Sequence, residues 1–545
     1  MIKKYVSDLK REFAGYSAAS LLKDMMAGLT VCAVALPLAL AFGVSSGASA
    51  AAGMVTAIIG GIVIGLLSGA SYQISGPTGA MSAILISVVA QYGMQGMFAA
   101  SLAAGIILLL CGLLRLGKLI NFIPSPVIMG FTSGIAVVIA LGQVDNFFGT
   151  VSEGTTNMQK LLSYGRLGFH PQWESVVIGA LAMAVMIFWP KKWNEKVPSS
   201  LVAVIVASLT ASLSGMRGLR LVGDIPKSLL LEQRLSLESV DLTMMKGLIS
   251  PVISIAALGM IESLLCGLSA SRMKHEPFDA DRELVAQGIG NILLPFFGGV
   301  PATAAIARSG VAVKSGQQTR LTGIFHSLFL LAAMLALGPV MAKLPLAALA
   351  GVLMMTAWKM NEWGEIRYIF RHRFWSAISE FLLTMVATVV FDLMTAVALG
   401  VIYSALLFMV SSSRITVSFS AYDPQKLHEA GRALRGQTQV AYITGPVFFA
   451  ALHTLTDAFA LLPACDNLVI SMRGVPSMDV SGARTLLERC AELQEQGVRI
   501  LFCGVQDAVR GSLERSDVRA LFGEDCFYWS AEEAFAALAQ TDAKR

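Results

Sequence analysis

The feature that most constrains this chain is a series of apolar runs, each close to the length of a helix that crosses a membrane. An α-helix spans the hydrocarbon of a bilayer with about 20 residues. Only 14% of the 545 residues are charged, whereas a soluble protein has about 25%. The sequence therefore predicts a polytopic α-helical membrane protein. The fourteen runs cover residues 25–44, 51–68, 78–91, 96–114, 119–142, 174–190, 197–214, 247–271, 284–297, 301–313, 322–341, 345–358, 376–391 and 393–411.

Charged residues are distributed unevenly along the chain. Residues 437–545 contain 23 charged residues, whereas the longer stretch 1–436 contains 54. A membrane part followed by a soluble domain of ordinary size explains this contrast. The parts we expect are a cytoplasmic N-terminal segment 1–23, a transmembrane domain 24–411, a linker 412–436 and a cytoplasmic domain 437–545.

Lysine and arginine in the short loops indicate the orientation, because cytoplasmic loops carry an excess of these residues. Counted from a cytoplasmic N-terminus, alternate short loops are basic and the others are nearly free of basic residues. The pattern predicts a multi-pass protein of the inner membrane with both chain ends in the cytoplasm. The basic loops contain Arg115 and Lys118; Lys191, Lys192 and Lys196; Arg272, Lys274 and Arg282; Lys314 and Arg320; and Lys359, Arg367, Arg371 and Arg373.

Several kinds of functional motif are missing from the sequence. The seven cysteines form no CxxC pair and have no zinc-ligand spacing to histidine. No catalytic constellation or phosphate-binding glycine loop is present, and no block of basic residues alternates with aromatic ones. The sequence therefore predicts no metal site, no cofactor, no enzymatic activity and no nucleic-acid partner.

Two Gly/Pro-rich interruptions occupy matched positions. Ser75–Ala80 precedes the third run and Gly298–Ala304 precedes the tenth, so they correspond if two halves of seven runs are inserted in opposite directions. Paired interruptions of this kind point to the binding site of a transporter. We expect Pro77 and Pro301 to begin short helices near mid-membrane, whose N-termini face one pocket and attract an anion. The alternative is that each Gly-Pro pair only kinks an ordinary spanning helix.

Charged residues deep in apolar runs are costly and point to function. Glu262 lies in the middle of the eighth run, and Arg308 lies seven residues after Pro301. We expect Arg308 to add a cationic wall to the anion pocket and Glu262 to carry a coupling proton. The alternative is a buried Glu262–Arg308 ion pair that only joins two helices. Asp24 is expected at the membrane interface and Asp392 at a helix cap.

Two further segments have recognisable patterns. Beyond residue 436 strand and helix patterns alternate, which predicts a mixed sheet with helices packed on it. There, the turn Met478–Gly482 leads from a strand into a helix, with Asp479 or Ser481 as its N-cap. Segment 358–375 combines arginines with aromatic residues, which predicts an amphipathic helix in the inner membrane interface.

Three stretches resemble the sulfate permease (SulP) family, the bacterial relatives of solute carrier family 26. They are Leu36–Gly43 (LPLALAFG), Glu283–Pro301 (with ELVAQG, GN and FGGVP) and Ala307–Ser309 (ARS). The tail resembles the STAS domain that commonly follows this transporter. The resemblance covers nearly the whole chain, and the joint pattern is specific.

The resemblance implies fourteen spans as two inverted repeats of seven, divided into a core and a gate domain and followed by an α/β STAS domain. It implies an anion held between half-helices 3 and 10, with helices 1 and 8 as walls, in a homodimer. Carried over residue by residue, the substrate-binding residues are Thr78, Gly79, Ala80, Thr303, Ala304, Ala305 and Arg308, with Glu262 as the coupling residue and Ser481 as a phosphorylatable serine.

One position departs from many members of this family. The residue after the proline of the first run is Leu38 rather than a polar residue, and in this respect the chain resembles the bicarbonate-carrying branch. The resemblance implies that an aspartate and a threonine hold sodium in this branch. At those two positions this chain has Glu262 and Cys266. Hard cations need several oxygen ligands. We therefore expect proton coupling rather than sodium coupling.

The sequence thus predicts a secondary active transporter of inorganic or small organic anions (sulfate, bicarbonate or a dicarboxylate) that works by proton symport with alternating access. Its expected partners are the anion, protons, membrane lipid, a second copy of the chain and a cytoplasmic regulator of the STAS domain. The alternatives are a sodium-coupled bicarbonate transporter, an anion channel, and a membrane-anchored signalling scaffold in which the tail is the active part.

Overall fold

The computed structural model describes residues 2–544 except 155–156, 191–192, 194–196, 217, 237, 239–241, 392, 424–433 and 435. The chain divides into two compact units, Met1–Val401 and Ile402–Arg545. Three residues of the predicted basic loops (Lys191, Lys192 and Lys196) and the predicted helix cap at Asp392 lie outside the described residues.

Helices dominate residues 2–412, because a helix satisfies its own backbone in a medium without water. Each of the fourteen apolar runs overlaps a helical segment. Among the described residues, seven helices are long and apolar enough to cross a membrane, and four shorter apolar helices accompany them; the number of crossings stays a prediction. The helices are α1 (Ile2–Glu12), α2 (Ala18–Ser45), α3 (Ala50–Leu67), α4 (Gly79–Leu113), α5 (Ser125–Gly142), α6 (Val144–Phe148), α7 (Asn157–Leu167), α8 (Trp173–Phe188), α9 (Ser199–Leu213), α10 (Leu242–Gly247), α11 (Ile249–Lys274), α12 (Ala280–Leu293), α13 (Ile306–Lys314), α14 (Leu321–Met341), α15 (Leu346–Met360), α16 (Trp363–Arg371), α17 (Trp375–Val390) and α18 (Leu393–Ser412).

Helix α4 covers two of the predicted runs and is broken between them. Gly93, inside it, has φ 68° and ψ −173°, a conformation that glycine adopts without steric cost. The third predicted run therefore forms a half-helix from Gly79 to the break, and the fourth run forms a separate helix after it.

The helices of the first unit pack into two groups. One group contains α2, α3, α4, α11, α12, α13 and α14, with extensive packing of α4 on α12 and of α2 on α14. The other contains α5, α8, α9, α15 and α17, and Gly400 of α18 lies against Val127 and Thr384 of this second group. The division corresponds to the core and gate domains that the family resemblance implied.

The N-terminal helix α1 is held on the core group by ion pairs along one of its faces. Residues four apart on a helix lie on the same side, and the three pairs follow that spacing. The Tyr5 ring centroid lies 5.3 Å and 5.5 Å from the two arginine guanidinium groups of this face. The N–O distances are 2.6 Å for Lys4–Asp279, 2.8 Å for Asp8–Arg282 and 2.8 Å for Glu12–Arg320.

Asp24, which the sequence places at the start of a span, is fully buried inside the protein; its expected depth at the membrane interface stays a prediction. Its carboxylate accepts hydrogen bonds from the backbone N–H groups of Gln318 and Thr319 and from the Thr319 hydroxyl. The hydroxyl groups of Thr322 and Tyr16 donate to it as well. The connection between α13 and α14 therefore supplies the donors that make burial of this carboxylate tolerable.

The second unit contains a five-stranded sheet in the order β3-β4-β5-β6-β7, numbered after the two short strands of the first unit. Strand β3 is antiparallel to β4, and the other neighbours are parallel, which confirms the predicted mixed sheet. Strand β3 lies inside the predicted linker 412–436, so the sheet begins earlier than the sequence pattern indicated. The strands are β3 (Thr416–Ala421), β4 (Thr438–Thr444), β5 (Asn467–Gly474), β6 (Arg499–Cys503) and β7 (Phe527–Tyr528).

Helices cover both faces of this sheet, because alternate strand residues point to opposite sides. Helices α19, α20 and α21 pack on the face that includes Ile470 and Phe502, and α23 packs on the face that includes Val440 and Val469. The helices are α19 (Leu452–Ala460), α20 (Val480–Glu495), α21 (Asp507–Glu514), α22 (Val518–Phe522) and α23 (Ala531–Lys544).

Asp479, rather than Ser481, caps the N-terminus of α20. Its side chain accepts a hydrogen bond of 2.7 Å from the N–H of Gly482, as an N-cap side chain does. Ser481 is exposed in the first turn. Its role as a phosphorylation site stays a prediction.

We predict that Glu12→Ala destabilises the protein by about 3 kcal/mol, because it leaves the Arg320 guanidinium as an uncompensated buried charge. The Arg320 and Glu12 side chains are 4% and 9% exposed. The measurement is equilibrium unfolding of the purified protein in detergent. Arg11→Ala is the control, because the Arg11 side chain is 73% exposed and 4.0 Å from its partner Asp8; its effect should be below about 0.5 kcal/mol. Equal effects of the two variants would contradict a stabilising role for α1.

Candidate functional site

Two short strands join the two interrupted segments of the membrane unit. Strand β1 (Ser75–Gly76) pairs antiparallel with β2 (Thr303–Ala304), with Ser75 opposite Ala304 and Gly76 opposite Thr303. Backbone outside helices at membrane depth is tolerated only where it finds partners inside the protein. The pairing supplies those partners and brings together the starts of the two half-helices that follow, the first part of α4 and α13.

The two prolines do not begin these half-helices, and that expectation is wrong. Helix α4 begins at Gly79, after Thr78, whose Oγ1 accepts a hydrogen bond from the N–H of Met81 as the N-cap. Helix α13 begins at Ile306, five residues after Pro301. Pro77 lies between β1 and the cap Thr78, and Pro301 lies two residues before β2. The chain must run extended in both places to form the β1–β2 pair, and proline favours extended backbone in the residue before it.

The carboxylate of Glu262 connects the starts of both half-helices. Its Oε2 accepts hydrogen bonds from the hydroxyl groups of Thr78, at 2.8 Å, and Thr303, at 2.6 Å. The two hydroxyl oxygens lie 3.1 Å apart. Glu262 belongs to α11, and the neighbouring Ser263 Oγ accepts from the N–H of Ala304. Helix α11 therefore contacts the paired strands with a titratable group at its centre.

Arg308 lies in the first turn of α13 and is 2% exposed. Its Nη2 donates to the carbonyl oxygen of Pro77 at 2.9 Å, whereas its Nη1 has no hydrogen-bond partner among the described residues. The guanidinium packs against Gly76, where a Cβ would overlap it. The carboxylate of Glu262 accepts from the two threonines, and Arg308 donates to a carbonyl oxygen. The structure therefore contains no direct ion pair between Glu262 and Arg308, and that alternative is wrong.

The remaining predicted binding residues occupy different positions around these groups. Gly79 and Ala80 form the first turn of α4, and Ala304 lies in β2. Ala305 precedes α13 as its N-cap, and its N–H donates to the carbonyl oxygen of Ile74. The first N–H groups of a helix lack partners within the helix, so both half-helices direct donors and positive dipole ends toward this region.

A polar stripe on α12, which the sequence reasoning did not assign to the site, holds the strands in place. The Gln287 amide donates to Ser75 Oγ at 2.9 Å. The Asn291 side chain bonds to both backbone groups of Ala302, at 2.9 Å and 2.8 Å. Glu283, one turn earlier, accepts from Ser68 and Gly69. From Glu283 onward α12 is otherwise apolar, and the four-residue spacing of these polar side chains was a signal that could have identified them.

A narrow cleft of about 20 Å³ lies beside the first half-helix, at the boundary between the core and gate groups. A Cβ at Gly79 would overlap Phe42 and Ile139, so glycine allows the helices to approach closely here. Ser82 Oγ donates to the carbonyl oxygen of Thr78. The cleft is lined by Phe42, Ser45, Gly79, Ser82, Ala83, Ile86, Val138, Ile139, Gly142 and Gln143.

Opposed half-helices around a buried polar cluster, inside a bundle of apolar helices, define a membrane transporter fold. A family model described as sulfate permease family matches residues 21–387, and one described as STAS domain matches residues 434–534. The chain therefore belongs to the sulfate permease family, a family of anion transporters and not of enzymes.

Individual relatives cover almost the whole chain. The putative sulfate transporter YvdB of Bacillus subtilis (strain 168) is 31% identical over 95% of this chain and 97% of its own length. The bicarbonate transporter BicA of Picosynechococcus sp. is 27% identical over 94% of this chain and 93% of its own length.

Solved structures show the same fold. The structure of SLC26A9 matches with a TM-score of 0.80 at 16% identity and covers 97% of this chain and 92% of that chain. The transmembrane domain of a cyanobacterial BicA matches with a TM-score of 0.63 at 26% identity and covers 71% and 97%. The predicted fold class, a polytopic helical domain followed by a STAS domain, is confirmed.

We predict that Asn291→Ala lowers both stability and transport, because it leaves the N–H and carbonyl groups of Ala302 buried without partners. Unsatisfied buried groups cost about 1–3 kcal/mol each. The measurements are unfolding in detergent and anion uptake by proteoliposomes. Asn361→Ala is the control, because that amide bonds only carbonyl groups at the end of α15. Normal uptake and stability in Asn291→Ala would show that the stripe on α12 does not position the strands.

Proposed function

We propose that this protein is a secondary active anion transporter of the inner membrane that carries its substrate together with protons by alternating access. The observation that supports the proposal most directly is the β1–β2 pair, which brings the starts of two half-helices together beside Glu262 and Arg308. The anion would lie at these helix N-termini, and the core group would move it past the gate group.

The electrostatics of the region favour a small anion. Backbone N–H groups at a helix N-terminus bind anions without a side-chain cation, and the guanidinium of Arg308 adds a full positive charge with a free Nη1. Sulfate, bicarbonate and dicarboxylates share this requirement for several donors around a compact negative group. The names of the relatives mention sulfate and bicarbonate, and both are candidate substrates for this chain.

Glu262 supplies a physical route for proton coupling. When its carboxylate is ionised, the hydroxyl groups of Thr78 and Thr303 both donate to it, so their hydrogens point away from an anion. A protonated carboxyl group is itself a donor, which frees at least one hydroxyl hydrogen for the substrate. Protonation also removes a negative charge beside the anion. Proton and anion therefore favour each other's binding, as a linked pair must do reciprocally.

Sodium coupling is the alternative that the same cluster allows. Three oxygen atoms converge there, from Glu262, Thr78 and Thr303. One turn further along α11, Cys266 presents a sulfur 3.3 Å from Ser309 Oγ, where an oxygen ligand would extend the set. Hard cations prefer oxygen ligands in larger number, and this favours the proton.

The proposal includes the arrangement of the chain in the membrane. From the basic loops we infer that both chain ends lie in the cytoplasm, and from the family resemblance we infer a homodimer and a cytoplasmic regulator that acts on the STAS domain through Ser481. These points rest on the sequence, and epitope accessibility in spheroplasts together with cross-linking in membranes tests them.

We predict that Glu262→Gln removes the dependence of uptake on a proton gradient, because glutamine cannot gain or lose a proton. The measurement is the initial rate of labelled-anion uptake by proteoliposomes with and without an acidic outside. Glu174→Gln, a carboxyl group that bonds to Gly218 away from the site, should keep the dependence. An unchanged response in Glu262→Gln would exclude this residue as the coupling group, and stimulation of the parent chain by a sodium gradient alone would favour the sodium alternative.

We predict that Arg308→Ala raises the apparent KM for the anion roughly tenfold to a hundredfold, because a hydrogen bond to a charged group contributes about 1.5–3 kcal/mol. Arg308→Lys should show a smaller increase, since it keeps the charge. The measurement is uptake of sulfate, bicarbonate, fumarate, succinate and chloride over a concentration series, with thermal unfolding to verify folding. Lys314→Ala, at the exposed end of the same helix, is the control. An unchanged KM in Arg308→Ala would place the anion elsewhere, and currents far above carrier turnover would indicate a channel.

A further inference from the structure

Helix α16, between α15 and α17, is attached to the gate group along one edge only. Ile369 is buried and Ile366 is partly buried, and they pack with Met129, Ile378 and Phe381. The other residues of α16 are exposed. The helix therefore presents most of its surface to whatever lies next to the membrane unit.

Two arginines, Arg367 and Arg371, lie on one exposed face of α16. Trp363, Arg367 and Arg371 are spaced four residues apart, which places them on the same side of the helix. Neither arginine has an ion pair with the described residues, and the spacing places Glu365 on the opposite side. Arg373, in the turn that follows α16, is also exposed and forms no ion pair with the described residues. The face therefore has a concentrated positive charge with no counter-ion among the residues that the structure describes.

Exposed aromatic rings flank these arginines. The rings of Trp358 and Trp363 lie 4.5 Å apart on one side. On the other, Tyr368 lies 4.4 Å from His372 and 5.8 Å from Phe374. Aromatic rings that are partly polar are enriched at the level of lipid headgroups. Their position beside two apolar helices, α15 and α17, indicates that α16 lies in the membrane interface.

We propose that Arg367 and Arg371 bind the phosphodiester headgroup of an anionic phospholipid, such as phosphatidylglycerol, in the leaflet next to α16. Guanidinium groups form bidentate hydrogen bonds to phosphate oxygens, and two arginines one turn apart can hold the oxygens of one headgroup. The flanking rings bury their apolar parts among the acyl chains. The membrane topology proposed above makes this the inner leaflet, but the binding itself does not depend on transport.

A lipid fits this surface better than an acidic protein does. The positive face adjoins exposed aromatic rings and the ends of two apolar helices, so a bilayer that surrounds these helices would bring phospholipid headgroups next to the arginines. An anionic lipid surface attracts basic residues near it, whereas an acidic protein would have to cover the exposed aromatic groups as well. The surface is therefore assigned to the lipid.

The test uses the full chain reconstituted in nanodiscs of phosphatidylcholine alone or with roughly 30 mol% phosphatidylglycerol, which supplies an anionic surface. The measurement is thermal unfolding. Native mass spectrometry of the detergent-purified protein measures retained phosphatidylglycerol. We expect phosphatidylglycerol to raise the Tm of the parent chain and to remain bound to it. Arg367→Gln/Arg371→Gln should lose at least half of that Tm increase and several-fold of the retained lipid.

Controls separate headgroup binding from a general effect of charge. Arg484→Gln/Arg489→Gln removes the same charge from exposed positions of α20 and should respond to phosphatidylglycerol like the parent chain. Arg367→Lys/Arg371→Lys keeps the charge and should fall between the two, because lysine lacks the bidentate geometry. Transport activity is not part of the readout, so failure of this proposal is distinguishable from failure of the proposed function.

Three results would overturn the proposal. The first is an equal response to phosphatidylglycerol in the Arg367→Gln/Arg371→Gln variant and the parent chain. The second is no response in the parent chain, in which case an acidic protein would become the better candidate. The third is an equal rise in Tm when inorganic phosphate is added to phosphatidylcholine nanodiscs, which would assign the arginines to a free anion.

Discussion

The structure of the membrane unit depends on one constraint, which is that backbone outside a helix must find hydrogen-bond partners in a medium without water. Interrupting two helices near their middle exposes such backbone. In this chain the two interrupted segments pair with each other, with Ser75 opposite Ala304 and Gly76 opposite Thr303. Asn291 then satisfies both groups of Ala302. These partners allow both helices to be interrupted inside a bilayer.

The same constraint explains why charged groups cluster there. A charge in the hydrocarbon is costly unless it is paired or hydrogen-bonded, and an interrupted helix offers free carbonyl and N–H groups as partners. Arg308 uses the carbonyl group of Pro77 in this way, and Glu262 uses hydroxyl groups at the starts of the half-helices. The interrupted segments thus stabilise both charged side chains, which in turn add a cationic and a titratable group to this region.

Local signals in the sequence predicted the parts of this arrangement, but not how they join. Apolar runs identified the helices because membrane spanning requires length and apolarity, and the Gly/Pro segments identified the interruptions. The partner of Glu262 could not be predicted, because Thr78 and Thr303 are far from it in sequence. The proline argument failed for a related reason: a local preference for the first helical turn was outweighed by strand pairing between segments more than 200 residues apart.

Asp24 shows the same limit from another direction. Its position at the start of an apolar run gave no sign that donors from a connection almost 300 residues later would bury it. Burial of an acid is decided by what the rest of the fold brings to it, and long-range partners leave no trace in local composition. The stripe Glu283, Gln287 and Asn291 is the exception, because the four-residue spacing of polar side chains in an apolar helix is itself local. The structure explains this stripe: α12 lies beside the paired strands, and its inward-facing polar side chains form hydrogen bonds with backbone and side-chain groups there that would otherwise be buried without partners.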